Sequence, residues 1–324
     1  MAWCHADSMR RTTKDSGVVL PRAGALAAPW RRFWPEVGRR GRARGGTLAA
    51  LVVACAAWGT LPARAQYASP SLEVPARSFS WPEGKRAALS LTFDDARLSQ
   101  VSVGLPLFDR HGVRATFYIS PRALEERLPQ WKQAVAQGHE IGNHSLTHPC
   151  TGNFVWARTN ALEDFTLDRM QQELELASAF IVSRLGVKPT SFAYPCGQTF
   201  VGRGEGVRSY VPVVARMFRT GRLWLAEEAN DPVHGDPAQL LGVELDGKSF
   251  AQIRPLLERT LERGRWLVLA GHEIGGGGSQ TVLTNTLEQI CTFAADPANG
   301  LWLDTVDAIA RHVLDQPLPR PADR

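Results

Sequence analysis

The sequence predicts an α/β fold, a parallel barrel of about seven strand–helix units in a single domain. Three observations point there. From about residue 86, strand-like and helix-like stretches alternate, and alternation of that kind implies parallel pairing. Seven or so such units suit a closed barrel better than an open sheet. The span 85–316 is the length that one such domain needs, and it holds no internal repeat and no low-complexity tract.

The elements follow in order. The runs 87–93 and 114–119 read as strands, and Trp131 to Gln137 reads as a short helix closed by Gly138. Thr166 caps a long helix whose apolar positions Leu167, Met170, Leu174, Ile181 and Leu185 share one face, with Gly186 at its end. A strand is expected at 191–194, a helix around 207–218 and a strand at 223–226. Ser249 caps a further helix that Gly264 ends, and 265–270 is a strand. A helix over 281–295, a strand at 301–303 and a helix over 305–314 close the domain.

Composition is that of a globular protein, with 44% hydrophobic and 21% charged residues. The net charge of +5 is misleading, because residues 1–65 carry 11 Arg/Lys against 3 Asp/Glu and leave 26 against 29 for the rest. The body of the chain therefore lacks the basic clustering that a nucleic-acid partner requires. The basic leader precedes an apolar stretch, Leu48 to Trp58, and then Ala63-Arg64-Ala65. This pattern describes an export signal over 1–65, cut after Ala65, and implies a periplasmic or secreted protein. The apolar run is too short to span a bilayer, so no transmembrane helix is expected in the mature chain. A second outcome is a lipid anchor on Cys55, since Val52-Val53-Ala54-Cys55 resembles a lipoprotein processing site. Residues 66–84 read as a linker and 317–324 as a tail. The sequence specifies no oligomeric state.

The chemistry concentrates at strand ends. Strand 87–93 runs into Asp94-Asp95, and the C-terminal end of a barrel strand is where catalytic groups collect. Two adjacent carboxylates divide labour: one binds a cation while the other stays free as a base. By itself the pair is as readily a helix N-cap. His144 and His148 are four residues apart, and on one helical turn such side chains converge on one ion. An Asp and two His leave positions open for water and substrate, as a catalytic metal site requires. His139 is out of phase with that pair and is expected to support the structure. His272 follows strand 265–270 and precedes the run Gly275 to Gly278.

Thr92-Phe93-Asp94-Asp95, His144-Ser145-Leu146-Thr147-His148, Phe192-Ala193-Tyr194-Pro195-Cys196-Gly197 and Leu267 to His272 together resemble the ordered motifs of the polysaccharide deacetylases. This is the NodB-homology group, or carbohydrate esterase family 4, and the likeness spans about 86–315. The resemblance implies a deformed (β/α) barrel and a divalent metal, zinc above all, held by Asp95, His144 and His148. Asp94 would then be the base and His272 the acid, with Tyr194, Cys196 and Gly197 at the oxyanion and substrate. Two departures stand out. Ala193 occupies the slot where many relatives carry an Arg that pairs with the catalytic Asp, and Cys196 replaces a Tyr. No counterpart of the fourth motif, which orients the acid, is evident; Asp231, Asp236 and Asp246 are candidates. Cys150 and Cys196 border these loops and are the expected disulfide pair, while Cys291 reads as a buried small hydrophobe.

The implied substrate is an acetylated carbohydrate, chitin-like, peptidoglycan or exopolysaccharide, with acetyl xylan as a further option. Two other readings remain at this point: an amidase for a small non-sugar molecule, and a catalytically weak sugar-binding protein of the same fold. Trp156, set in the loop 151–158, is placed to stack on a sugar.

Overall fold

A computed structural model describes residues 79–82 and 84–316. The export signal, the cut after Ala65, the Cys55 alternative, most of the linker and the tail 317–324 lie outside the described residues. In chain order the elements are β1 (Ala87–Asp94), α1 (Leu105–His111), β2 (Thr116–Ile119), α2 (Pro121–Glu126), α3 (Leu128–Ala136) and β3 (Glu140–Asn143). Then come α4 (Leu167–Leu185), β4 (Ser191–Ala193), β5 (Phe200–Val201), β6 (Arg208–Ser209), α5 (Val211–Met217), β7 (Thr220–Arg222) and β8 (Val243–Glu244). The last are α6 (Phe250–Arg263), β9 (Trp266–Gly271), β10 (Glu273–Gly275), β11 (Thr281–Leu283), α7 (Thr284–Ala295), β12 (Leu301–Leu303) and α8 (Val306–Asp315).

The main sheet is wholly parallel and runs β7-β4-β3-β2-β1-β9-β8, with β12 also on β1. All eight residues of β1 are buried, as expected of a strand covered on both faces. One edge of β1 pairs with β9 along Ala88–Phe93. The other edge is shared: Ala87–Leu89 pair with β12, and Thr92–Asp94 pair with β2. That split edge is the deformation of the barrel. The ends of the path meet as well, because Leu240 N donates to Gly221 O and Leu223 N to Leu240 O just before β8. Eight strands thus stand where about seven were expected.

Local chemistry explains most elements. The Thr166 hydroxyl accepts from Arg169 N, Gly186 closes α4 at φ 71°, and Met170, Leu174, Ala177, Ile181 and Leu185 form its buried face. Ser249 and Gln252 form a capping box on α6, which Gly264 ends at φ 64°. Apolar layers pack outside the strands, one under α1, α3, α6 and α7 and another under α4 and α5. Trp81 donates from Nε1 to Gly264 O and stacks with His312, closing the floor of the barrel against α8.

Three expectations are corrected. The segment carrying His144 and His148 is not a helical turn: β3 pairs with β2, and the chain then turns through Ser145 (φ 63°) and His148 (φ 51°). Gly142 permits this pairing, since a Cβ there would meet the Tyr118 ring at 2.4 Å. The strand expected at 223–226 lies three residues earlier, as β7, because its Arg222 turns inward where a polar residue reads as loop. Residues 281–283 are strand β11 rather than the first turn of α7.

Candidate active site

The carboxyl ends of β1, β3, β4, β7, β8 and β9 open on one cleft of about 560 Å³, lined in part by Asp94, Asp95, His144, His148, Trp224 and His272. Asp94 is the last residue of β1 and Asp95 follows at φ 73°, a left-handed conformation that turns its carboxylate across the mouth. His144 directly follows β3. Its Nδ1–H donates to Ala193 O at 2.9 Å, which leaves Nε2 facing Asp95 Oδ1 at 3.6 Å. His148 Nε2 lies 3.6 Å from the same oxygen. The turn between them is held by Asn143 Oδ1, which accepts from Ser145 N, and by Ser145 Oγ, which accepts from His148 N. Glu173 on α4 accepts from the backbone and hydroxyl of Thr147.

The donor set fits a divalent cation. Ligands about 2.0–2.2 Å from a tetrahedral ion lie roughly 3.4 Å apart, close to the separations found. Burial opposes ionisation of Asp95, but His144, His148 and Arg97 outweigh it and hold the carboxyl at about 2. Burial and then His144 push His148 down to about 4, so near neutrality its imidazole offers a lone pair. Arg97 Nη2 donates to Asp95 Oδ2 at 2.8 Å, which leaves Oδ1 turned to the histidines.

Asp94 is buried and gripped by Arg222, whose Nη2 contacts both carboxylate oxygens, at 2.5 Å to Oδ2. Arg222 is fully buried, and its Nη1 donates to Leu223 O. It comes from β7 and supplies the positive partner that Ala193 cannot. On the far side, His272 Nδ1 lies 2.6 Å from Asp246 Oδ2, and His272 N donates to Asp246 Oδ1. Burial alone would lower the His272 pKa, but the Asp246 hydrogen bond, then Asp94, Asp246 and Asp95, raise it. Of the three acidic candidates for orienting His272, Asp246 makes the contact; Asp231 and Asp236 cap local turns. Gln100 Nε2 donates to both Asp94 O and His272 O, tying the ends of β1 and β9 together.

Cys196 and Cys150 are joined by a disulfide, which links the turn after β4 to the His148 loop. Gly197 N donates to Tyr194 O, and Tyr194 Oη donates to Ala238 O, so neither presents that donor to the cleft. His139 lies away from the mouth, where its Nδ1 accepts from Ala115 N. Trp156 is exposed, stacks on Phe154 and abuts the His148 ring. Arg222 and Arg97 were not singled out from the sequence. Nothing local in Phe218-Arg219-Thr220-Gly221-Arg222 sets Arg222 apart from Arg219, and Asp246 stands apart only once β8 lies beside β9.

The sequence profile described as polysaccharide deacetylase matches residues 82–203, from the strand before Asp94 through the Cys196 turn. Over these residues the chain is similar to the polysaccharide deacetylase family. A Mycobacterium smegmatis crystal structure assigned to the polysaccharide deacetylases has the same fold, with a TM-score of 0.55 at 18% identity, covering 77% of this chain and 98% of that one. Among curated relatives of the family, the peptidoglycan-N-acetylglucosamine deacetylase PgdA of Listeria monocytogenes is 34% identical over 26% of this chain and 18% of its own. The chitooligosaccharide deacetylase of Sinorhizobium fredii is 38% identical over 18% and 28%. An uncharacterized protein of Bacillus subtilis, YlxY, is 32% identical over 29% and 26%. The chain thus spans about a quarter or less of the length of the first curated relatives it matches.

Proposed function

We propose that the protein is an exported, metal-dependent hydrolase that removes acetyl groups from a carbohydrate, with N-acetylated sugars of a peptidoglycan or chitin-like chain as the leading substrate class. One observation carries this reading: the Nε2 atoms of His144 and His148 each lie 3.6 Å from Asp95 Oδ1, beside a second, separately held carboxylate, with His272 lining the same cleft. The names of the two deacetylase relatives support an amide substrate, and the basic, apolar leader supports export.

A divalent cation, zinc by the nature of the donors, would be held by Asp95 Oδ1 and the Nε2 atoms of His144 and His148, where it would supply Lewis-acid polarisation of the acetyl carbonyl. Asp94 accepts the proton of the attacking water. Arg222 fixes the orientation of that carboxylate, whose oxygens keep lone pairs for the proton. The Cys196 backbone N–H is assigned to the developing oxyanion. His272, kept protonated by Asp246, gives its proton to the departing nitrogen, or to oxygen for an acetyl ester.

Arg222 also weighs against a catalytically weak binding protein, since the missing third-motif arginine has a replacement at the same carboxylate. The purified protein is expected to release acetate from N-acetylated oligosaccharides and to lose that activity to a chelator, with recovery on zinc addition. Asp94→Ala should abolish turnover while metal content stays unchanged. Turnover that persists in Asp94→Ala rules out Asp94 as the base.

A further inference from the structure

The Cys150–Cys196 disulfide sits against a proposed metal ligand rather than at the periphery. Cys150 is two residues beyond His148, and its Sγ lies 3.7 Å from His148 Nδ1, on the side of the ring away from Asp95. The Nδ1 or Nε2 of His148 and the two Sγ atoms all lie within 4.8 Å of one another. Three donors at that separation form a second cluster that shares one imidazole with the first.

We propose that this disulfide conceals a thiophilic cation site made of Cys150, Cys196 and His148 Nδ1, and that closing or opening it decides which cluster claims His148. The inference rests on the reading of His148 as a ligand of the Asp95–His144 cluster. Bonded to each other, the two sulfurs are poor ligands. Once freed as thiolates they prefer soft or borderline d¹⁰ ions such as zinc and cadmium. Zinc–sulfur distances of about 2.3 Å place two tetrahedral thiolates roughly 3.8 Å apart, which a Cα–Cα distance of 6.1 Å leaves within reach. A neutral imidazole has one lone pair, so His148 serves one cluster at a time.

A dithiol can open it. Its thiolate attacks Cys196 Sγ, since Cys196 lines the cleft and is partly exposed whereas Cys150 is buried. The Cys150 sulfur leaves and takes a proton. The second thiol of the reductant then displaces Cys196, forming the reductant's own disulfide. Two electrons pass to the protein, and the two protein thiols release their protons when an ion binds. His148 (φ 51°) and Cys196 (φ 55°) both occupy left-handed conformations, which only their surroundings can maintain.

The test uses the full chain with Cys4, Cys55 and Cys291 each replaced by Ala, beside the unaltered chain in case Cys291→Ala disturbs folding. The protein is stripped of metal, reduced with a phosphine that is then removed without air, and titrated with cadmium. A sulfur-to-cadmium charge-transfer absorption is expected only in the reduced form, saturating at one ion per chain. His148→Ala should weaken cadmium binding by at least about tenfold, as loss of one ligand does. No absorption from protein whose two thiols both react with a thiol reagent overturns the proposal. Two ions per chain, or an affinity that His148→Ala leaves unchanged, overturns the sharing of His148. Acetate release by the oxidised form is scored apart, so failure of the deacetylase reading appears as no release whatever the cadmium result.

Discussion

The two ends of the barrel both bury carboxylates, yet they use them in opposite ways. At the floor, Glu140 at the start of β3 accepts from Thr116 Oγ1, Ser191 Oγ and the Asp307 backbone N–H. Burial raises its pKa, and those donors work against the rise. At the mouth, Asp94 and Asp95 are each gripped by one arginine and both line the cleft. Backbone strain divides the same way. The described non-glycine residues at positive φ are Asp95, Ala96, Ser145, His148, Cys196, Leu225 and Gln280, and all line the cleft or adjoin a residue that does. Each such conformation costs about 1–2 kcal/mol. The fold accepts that cost where side chains must be aimed at one point and avoids it where carboxylates need only be satisfied.

Substitutions at the two ends should therefore separate turnover from stability. The largest effect is expected from Asp94→Ala, a loss of turnover of about 10³-fold or more measured by acetate release, together with a stability loss of about 3 kcal/mol because Arg222 is left buried and unpaired. Arg222→Met should cost about 100-fold in turnover and also about 3 kcal/mol in urea unfolding, because a buried pair is broken. Equal stability in Arg222→Met would mean that Asp94 is satisfied without it. Asp246→Asn acts through His272. Its raised pKa keeps the imidazole protonated above the ordinary 6.5, so activity should fall only as pH rises through the raised pKa. Removing the carboxylate should move this alkaline limb to lower pH, read from a pH–rate profile. At the floor, Glu140→Ala should lower stability by about 2 kcal/mol while leaving turnover per folded molecule intact. A change in kcat there would break the division between the two ends. The smallest effect is Leu225→Gly, which relieves one strained position and should change stability by no more than about 1 kcal/mol.

Much of this architecture was legible in the sequence because it rests on local rules. Thr166 and Gly186 bound α4 as their capping chemistry requires, and the apolar run before Asp94 is the central strand. The His144–His148 spacing pointed to convergence for the wrong local reason, since a strand end and a strained turn, not a helix, bring the rings together. Arg222 was invisible because its partner is 128 residues away and an arginine inside a barrel contradicts ordinary strand composition. Asp246 was one of three equivalent acidic residues until β8 settled beside β9. Pairings set by sheet order carry no signature at short range.

Gln100 gives the mouth a property that no single proton-handling group has. Its amide spans the carbonyls of Asp94 and His272, so those two residues hang from a common crossbar while their strands register along Ala88–Phe93. Breathing of the outer helices then carries both together. The group that takes a proton and the group that gives one are thereby tied to one side chain, much as two lenses on one rail keep their focus when the bench shakes.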